Sequence, residues 1–197
     1  MNHREYFNQL ASKWDEMASA ETKARLPQMI AELRIKPGDT ILDVGGGTGI
    51  LLPFLCKAAG DKSKIVTIDI AEEMLKLARK NSHKGNINYI HADVATIPLA
   101  SETFDTVVCY SCFPHFADKP KALAEIARVL RKGGRLFICH SASRDEINEL
   151  HKSIGDIIGN DTIPDEATMR QMLAKSGLKT IEVRDEAHRY LAIATKS

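Results

Sequence analysis

The chain has 197 residues, enough for one domain with a sufficient core and no need of disulfide or metal staples. Lys plus Arg number 27 against 26 for Asp plus Glu, a formal net charge of +1, which excludes a polyanion binder driven by bulk charge. Four cysteines are too few for a disulfide framework, and no apolar run approaches a signal peptide or the roughly 18 residues of a membrane span, so a soluble, reduced, cytoplasmic protein is expected.

Residues 4–18 carry Tyr6, Phe7, Leu10, Ala11, Trp14 and Met17 at spacings of three and four, which predicts an amphipathic helix. Residues 22–34 repeat the pattern with Leu26, Met29, Ile30 and Leu33 before the turn Pro37-Gly38-Asp39. Strands are predicted at 40–44, 65–68, 87–91, 104–110 and 135–140, and helices at 51–59, 71–80 and 120–130 between them. Pro53 falls in a first turn, where its missing N–H costs nothing. Ser143-Arg144-Asp145-Glu146 is a capping box opening a helix through Ile147, Leu150, Ile154, Ile157 and Ile158. A helix at 164–175 and a hairpin of strands 178–183 and 189–194 end the chain.

Strand–helix alternation predicts an α/β fold, doubly wound and Rossmann-like. The sheet would have seven strands, mostly parallel, with an antiparallel C-terminal hairpin and helices on both faces. Ligands in such folds bind at the carboxyl ends of the strands, which directs attention to the loops after Val44, Ile68, His91, Tyr110 and His140.

The first of these loops is Asp43-Val44-Gly45-Gly46-Gly47-Thr48-Gly49. Glycines let the backbone approach a ligand closely, and the helix that follows offers free N–H groups to the same space. Asp69 ends the next strand, 20 residues after Gly49, where a carboxylate can accept from both hydroxyls of a ribose. The plainer role for Asp69 is to cap the helix near Ala71. The spacing is G-x-G-x-G, without the third glycine of the dinucleotide fingerprint, which argues against a nicotinamide oxidoreductase.

The stretch Ile41 to Gly49 resembles the first motif of class I S-adenosylmethionine-dependent methyltransferases. Asp69 with Ala71, Met74 and Leu75 looks like the second motif, and Asp93 like the adenine-contact motif. Arg128 to Leu136 is similar to the family's R-V-L-K-P-G-G-x-L segment, with Lys132 where proline is usual. The likeness covers roughly residues 38–140 and is nearest the small-molecule branch of ubiquinone and menaquinone C-methyltransferases, whose N-terminal helix Tyr6-Phe7-x-x-x-Ala11-x-x-Trp14-Asp15 also resembles.

The resemblance implies S-adenosylmethionine as cofactor and S-adenosylhomocysteine as product. Asp43 and Gly45, Gly46, Gly47 and Gly49 would form the cofactor loop, Asp69 would bind ribose, and Ile70 and Met74 would line the adenine pocket. Asp93 would accept from the adenine amino group beside Val94. The implied organisation is an N-terminal helical lid (1–36) carrying Tyr6, Phe7 and Trp14, a cofactor core (37–140) and acceptor-side helices with the terminal hairpin (141–197).

Methyl transfer from a sulfonium demands alignment and, for some acceptors, proton removal, but no fixed triad. In the family the loop Tyr110 to Phe116 faces the transferred methyl, so His115 is the candidate base and Tyr110 a candidate acceptor contact. Cys109-x-x-Cys112 invites a metal or redox reading, against which stands Cys109 as a buried small hydrophobe. No metal is expected; the alternative is an ion held by His115, His140 and His151, against plain hydrogen bonding by His140 and a surface place for His151. Arg144 is either a contact for an acidic substrate or solvated. The expected partner is a small-molecule acceptor rather than nucleic acid, since no Asn/Asp-Pro-Pro-aromatic motif follows the fourth strand. A protein that binds the cofactor without turnover is the remaining alternative.

Overall fold

The computed structural model describes residues 1–17, 19–81 and 85–197. In chain order it forms α1 (His3–Leu10), α2 (Trp14–Met17), α3 (Ala20–Glu32), β1 (Thr40–Val44), α4 (Leu52–Ala59), β2 (Lys64–Asp69), α5 (Glu72–Lys80) and β3 (Ile87–His91). There follow β4 (Phe104–Tyr110), α6 (Lys119–Val129), β5 (Leu130–His140), α7 (Arg144–Ile154), α8 (Glu166–Lys175), β6 (Leu178–Glu186) and β7 (Arg189–Lys196).

The sheet order is β3-β2-β1-β4-β5-β7-β6. All pairings are parallel except β5 with β7 and β6 with β7, so only β7 runs against the rest. The chain leaves β1 toward β2 and later returns to place β4 on β1's other side. That reversal opens a crevice at the carboxyl ends of β1 and β4, where ligands bind in open α/β sheets.

Period-two alternation explains why both sheet faces are covered. Leu42 and Val44 of β1, Val107 and Cys109 of β4, and Leu136 and Ile138 of β5 share one buried cluster with Leu123 and Ile126 of α6 and Met169 and Leu173 of α8. Ile41, Val108, Phe137 and Cys139 join the other, with Leu26 and Ile30 of α3, Leu33 just after it, and Leu52 and Leu55 of α4. A third, smaller cluster seats Ala11, Phe7 and Trp14 on Ala71 and Met74 of α5. Among the described residues no helix is long and apolar enough to cross a membrane.

Five local expectations are corrected. The predicted first helix divides into α1, a 3-10 turn at Ala11–Lys13, and α2; residue 18 lies outside the described residues. The capping box at Ser143 and Glu146 forms, yet α7 stops at Ile154 because Gly155 takes φ 66°, and Asp156–Ile158 is a separate 3-10 turn. Leu150 and Ile154 are exposed, so the apolar spacing past Ile147 does not mark one buried face. β5 begins at Leu130, pairing with Phe104 ahead of a bulge, and β6 extends to Glu186, leaving only Ala187 and His188 in the hairpin turn.

Candidate active site

The three glycines after β1 serve different ends. Gly45 and Gly47 have φ of 63° and 56°, a region L side chains rarely adopt. A Cβ on Gly45 would also stand 2.6 Å from Cys112 Cβ. Gly46 has no such φ, but a Cβ there would overlap Thr67 Oγ1 and lie 2.6 Å from Asp43 Oδ2. Gly49 faces a separate groove with Asp15 and Asn81, on the far side of the loop.

Two buried acids hold this loop. Asp69 Oδ2 accepts from the Gly47 N–H and Oδ1 from the Ala71 N–H, each at 2.8 Å. A carboxylate has about four lone-pair sites, so Asp69 keeps acceptor capacity toward the cavity it lines. Burial pushes its carboxyl up, and the backbone hydrogen bonds from Ala71 and Gly47 pull the other way. The plainer role expected for Asp69 is corrected: α5 starts from Ala71 with no side-chain cap, and Asp69 binds the Ala71 N–H one place before the helix while lining the cavity.

Asp43 accepts from Thr67 Oγ1 at 3.0 Å, and burial pushes its carboxyl up to about 7 against that hydrogen bond. An unfolded Asp titrates near about 3.9. Between those values the folded chain keeps a proton that the unfolded chain has lost, so stability falls as pH rises through the window and levels off above it. Asp43→Asn should remove this slope. Urea unfolding of cofactor-free protein at pH 5 and pH 8 should show the wild type losing roughly 2–3 kcal/mol more than the variant. Parallel losses would show that Asp43 is ionised across the range.

The cavity at the strand ends runs from this acidic end to an aromatic one. Ile70, Met74, Asp93 and Val94 line the first end, where Asp93 is exposed and its Oδ1 accepts from the Ala95 N–H. Tyr110, Ser111, His115, Phe7, Trp14 and His3 line the other. Tyr6 is not among the lining residues and packs edge-on behind Phe7, ring centroids 5.3 Å apart. Phe7 in turn meets Trp14 at 5.6 Å and His115 at 5.0 Å, both edge-on.

The roof is pinned at several points. Arg4 donates two hydrogen bonds to Glu72, Asn8 Nδ2 donates a third, and Asn8 Oδ1 accepts from the Glu73 N–H. The Thr48 hydroxyl donates to Asp15, tying α2 to the glycine loop.

At the aromatic end, Asp161 draws together residues from three distant segments. Its Oδ2 lies 2.7 Å from His115 Nδ1 and 2.8 Å from His3 Nε2, while its carbonyl lies 2.7 Å from His151 Nδ1. The His115 and His151 rings are 4.8 Å apart. Burial opposes ionisation of Asp161, yet the hydrogen bonds to His115 and His3 outweigh it and hold the carboxyl below its usual range. His151 is buried rather than at the surface. His140 is also buried, beside Tyr190, and its Nε2 has no partner among the described residues. Burial, with the nearby His115 and His151, pushes its pKa down to about 3 and keeps it neutral.

Three features here escaped the sequence reading. His3 sits four residues before Phe7, a helical spacing that would have flagged it. Asp161 had no signal beyond a turn-type Asn160-Asp161 pair. Ser111, at the tip of β4, has φ 52° without being glycine, local strain facing the cavity. Tyr110 Oη donates to Ser141 Oγ at 3.3 Å, and burial pushes its pKa up, so it serves as a neutral phenol. Cys109 and Cys112 are both buried, and burial drives the Cys112 thiol well up, away from the thiolate that metal or redox use requires. Arg144 pairs with Asp145 at 2.7 Å and Asp185 at 3.5 Å.

A family model described as a methyltransferase domain matches residues 42–138. The ubiquinone/menaquinone biosynthesis C-methyltransferase UbiE of Enterobacter sp. (strain 638) is 30% identical over 175 residues, covering 75% of this chain and 69% of the relative. A crystal structure of a SAM-dependent methyltransferase from Aquifex aeolicus is similar with a TM-score of 0.75 and 26% identity, over 95% of this chain and 98% of that one. The magnesium protoporphyrin IX methyltransferase of Synechocystis PCC 6803, solved with bound SAH, shares the fold at a TM-score of 0.75 and 19% identity, over 98% of each chain. With the glycine loop, the acid at the end of β2 and this sheet order, the chain belongs to the class I S-adenosylmethionine-dependent methyltransferases.

Proposed function

We propose that this methyltransferase acts on a small molecule, bound at the aromatic end of the cavity and activated through His115. The carrying observation is the roof: α1 and α2 lay Phe7 and Trp14 over the strand ends, so the acceptor is enclosed by the chain's own N-terminus. The near-neutral net charge agrees with such an acceptor.

The residues present fit the cofactor. Gly45, Gly46 and Gly47 let the loop lie close against Cys112, Thr67 and Asp43 with its backbone lining the cavity, and the free lone pairs of Asp69 suit ribose hydroxyls. Ile70, Met74 and Val94 offer an apolar wall for the adenine, with the exposed Asp93 carboxylate placed to accept from its amino group. Gly49 shapes the turn instead of touching the cofactor. When bound, S-adenosylmethionine supplies a methyl on a cationic sulfur, an activated leaving group that needs no protein nucleophile.

The chain's own contribution is alignment, water exclusion and handling of the acceptor's proton. Alignment alone supplies about 7–11 kcal/mol in well-oriented reactions. Tyr110, whose hydroxyl proton goes to Ser141, would meet the acceptor with its ring and with the free lone pair of its oxygen. Residues 1–36 and 141–197 meet on the acceptor side, through His3, Phe7 and Trp14 from the first and Asp161 from the second.

Release of S-adenosylhomocysteine should be followed against a panel of small phenols, quinols, thiols and amines, with peptide and RNA arms. His115→Gln should lower kcat by about 10²- to 10⁴-fold on the active acceptor, with product affinity by calorimetry unchanged. Turnover only on a polymer would overturn the small-molecule reading, and full activity in the variant would remove His115 from the chemistry.

A further inference from the structure

We propose that His3, His115 and Asp161 bind a divalent first-row transition ion at the acceptor end of the cavity. The donor atoms are His3 Nε2, His115 Nδ1 and Asp161 Oδ2, all within 4.8 Å of one another. Two imidazole nitrogens from residues 158 and 46 positions away converge on one carboxylate oxygen, at 2.8 and 2.7 Å. One hydrogen-bonded orienting carboxylate needs only one histidine, so a purely positioning role for Asp161 leaves His3 unexplained.

The spacing suits a cation. Metal–nitrogen bonds of about 2.0–2.1 Å in a tetrahedron set neighbouring ligand atoms roughly 3.3 Å apart. The nitrogen–oxygen contacts of 2.7 and 2.8 Å need widen by only about 0.5–0.6 Å to reach it.

Each ligand is held from behind, as ligands in built sites are. His3 opens α1, whose capping box joins Asn2 and Glu5. The 3-10 turn at Phe113–His115 places His115, and Phe7 packs on its ring. The loop carrying Asp161 is bound to α7 twice: the Asp161 carbonyl meets His151 Nδ1, and Asn148 exchanges two hydrogen bonds with the Ile163 backbone. The His151 ring so held lies 4.8 Å from the His115 ring.

Two imidazoles and one carboxylate favour Zn²⁺, Fe²⁺, Mn²⁺ or Co²⁺ over Mg²⁺ or Ca²⁺, which prefer all-oxygen sets. His3 and His115 both line the cavity, so the open coordination positions face the acceptor. The ion with Asp161 carries a net charge of +1, which one anionic acceptor group would neutralise. This rests on the reading of that end as the acceptor site: a hydroxyl or thiol coordinated there loses its proton to water more readily, and His115 would act as a ligand through Nδ1 instead of as a direct base. The site departs from the expectation of no metal and also from the alternative His115, His140 and His151 set, since His140 supplies none of the converging atoms.

Tag-free, full-length protein stripped with EDTA should be titrated with Co²⁺ and then Zn²⁺. The expected result is a visible Co²⁺ d–d spectrum and an equimolar site from which Zn²⁺, but not Mg²⁺, displaces cobalt. His3→Ala and Asp161→Asn should each weaken Zn²⁺ binding more than 10-fold. The asparagine preserves shape, and circular dichroism with product binding reports folding. No cobalt spectrum, or equal Zn²⁺ affinity in both variants, overturns the proposal. Full turnover in EDTA overturns the ion's catalytic role while leaving small-molecule methylation standing; no turnover on any small acceptor, with Zn²⁺ bound, sinks the latter alone.

Discussion

Removing residues 1–18 should abolish methyl transfer while the sheet still folds and still binds S-adenosylhomocysteine. The segment supplies three side chains of the cavity's aromatic end, His3, Phe7 and Trp14, and none of the strands. Its attachment to the body is local: Ala11, Phe7 and Trp14 on Ala71 and Met74, and polar contacts to Glu72, Glu73, Thr48 and Asp161. Loss of the roof admits water and frees the acceptor, forfeiting much of the roughly 7–11 kcal/mol that alignment supplies. The effect on kcat/KM should exceed 10³-fold, and calorimetry should show product affinity falling far less. Phe7→Ala in the intact chain is the milder companion, expected to raise KM for the acceptor without unfolding the protein. Undiminished turnover by the truncated protein would refute a lid.

Gly46→Ala should eliminate cofactor binding and destabilise the fold by about 1–3 kcal/mol or more, whereas Gly47→Ala should cost only about 1–2 kcal/mol. The contrast follows from different constraints. At Gly47 the backbone is left-handed, but a Cβ would meet only Trp14 Nε1 at 3.7 Å, an ordinary contact. At Gly46 the backbone is permissive, and the space belongs to Thr67 Oγ1 and Asp43 Oδ2, which bond to each other. An added methyl must break that buried pair or push the loop off the sheet. Chemical denaturation of the cofactor-free variants separates the two. Gly46→Ala no less stable than Gly47→Ala would show that the loop yields without cost.

The sheet was readable in advance because its signals are contiguous. Runs such as Thr106-Val107-Val108, the capping box at Ser143 and the glycines after Val44 each carry their information within a few residues. The glycine loop after β1 and the acid of β2 share that property, since they lie 20 residues apart and meet at 2.8 Å. Errors arose where local pattern and local geometry part. Ile157 and Ile158 continue the apolar spacing of α7, but Gly155 at φ 66° has already turned the chain. The acceptor end has no contiguous signal at all. His3, His115 and Asp161 meet only because α1 folds across the crevice to face the loops after β4 and α7, and no pairwise spacing encodes that.

Glu72 adds a kinetic consequence. It opens α5, the helix directly after the acid that holds the glycine loop, and it also receives Arg4 and Asn8 from α1. A ligand passing beneath α1 would strain those contacts, of which the Arg4–Glu72 pair is exposed and screened by salt. Ionic strength should therefore act on the rate at which spent cofactor is exchanged for fresh, with little effect on the chemical step. A surface ion pair of small worth to stability would then act on how fast the enzyme resets.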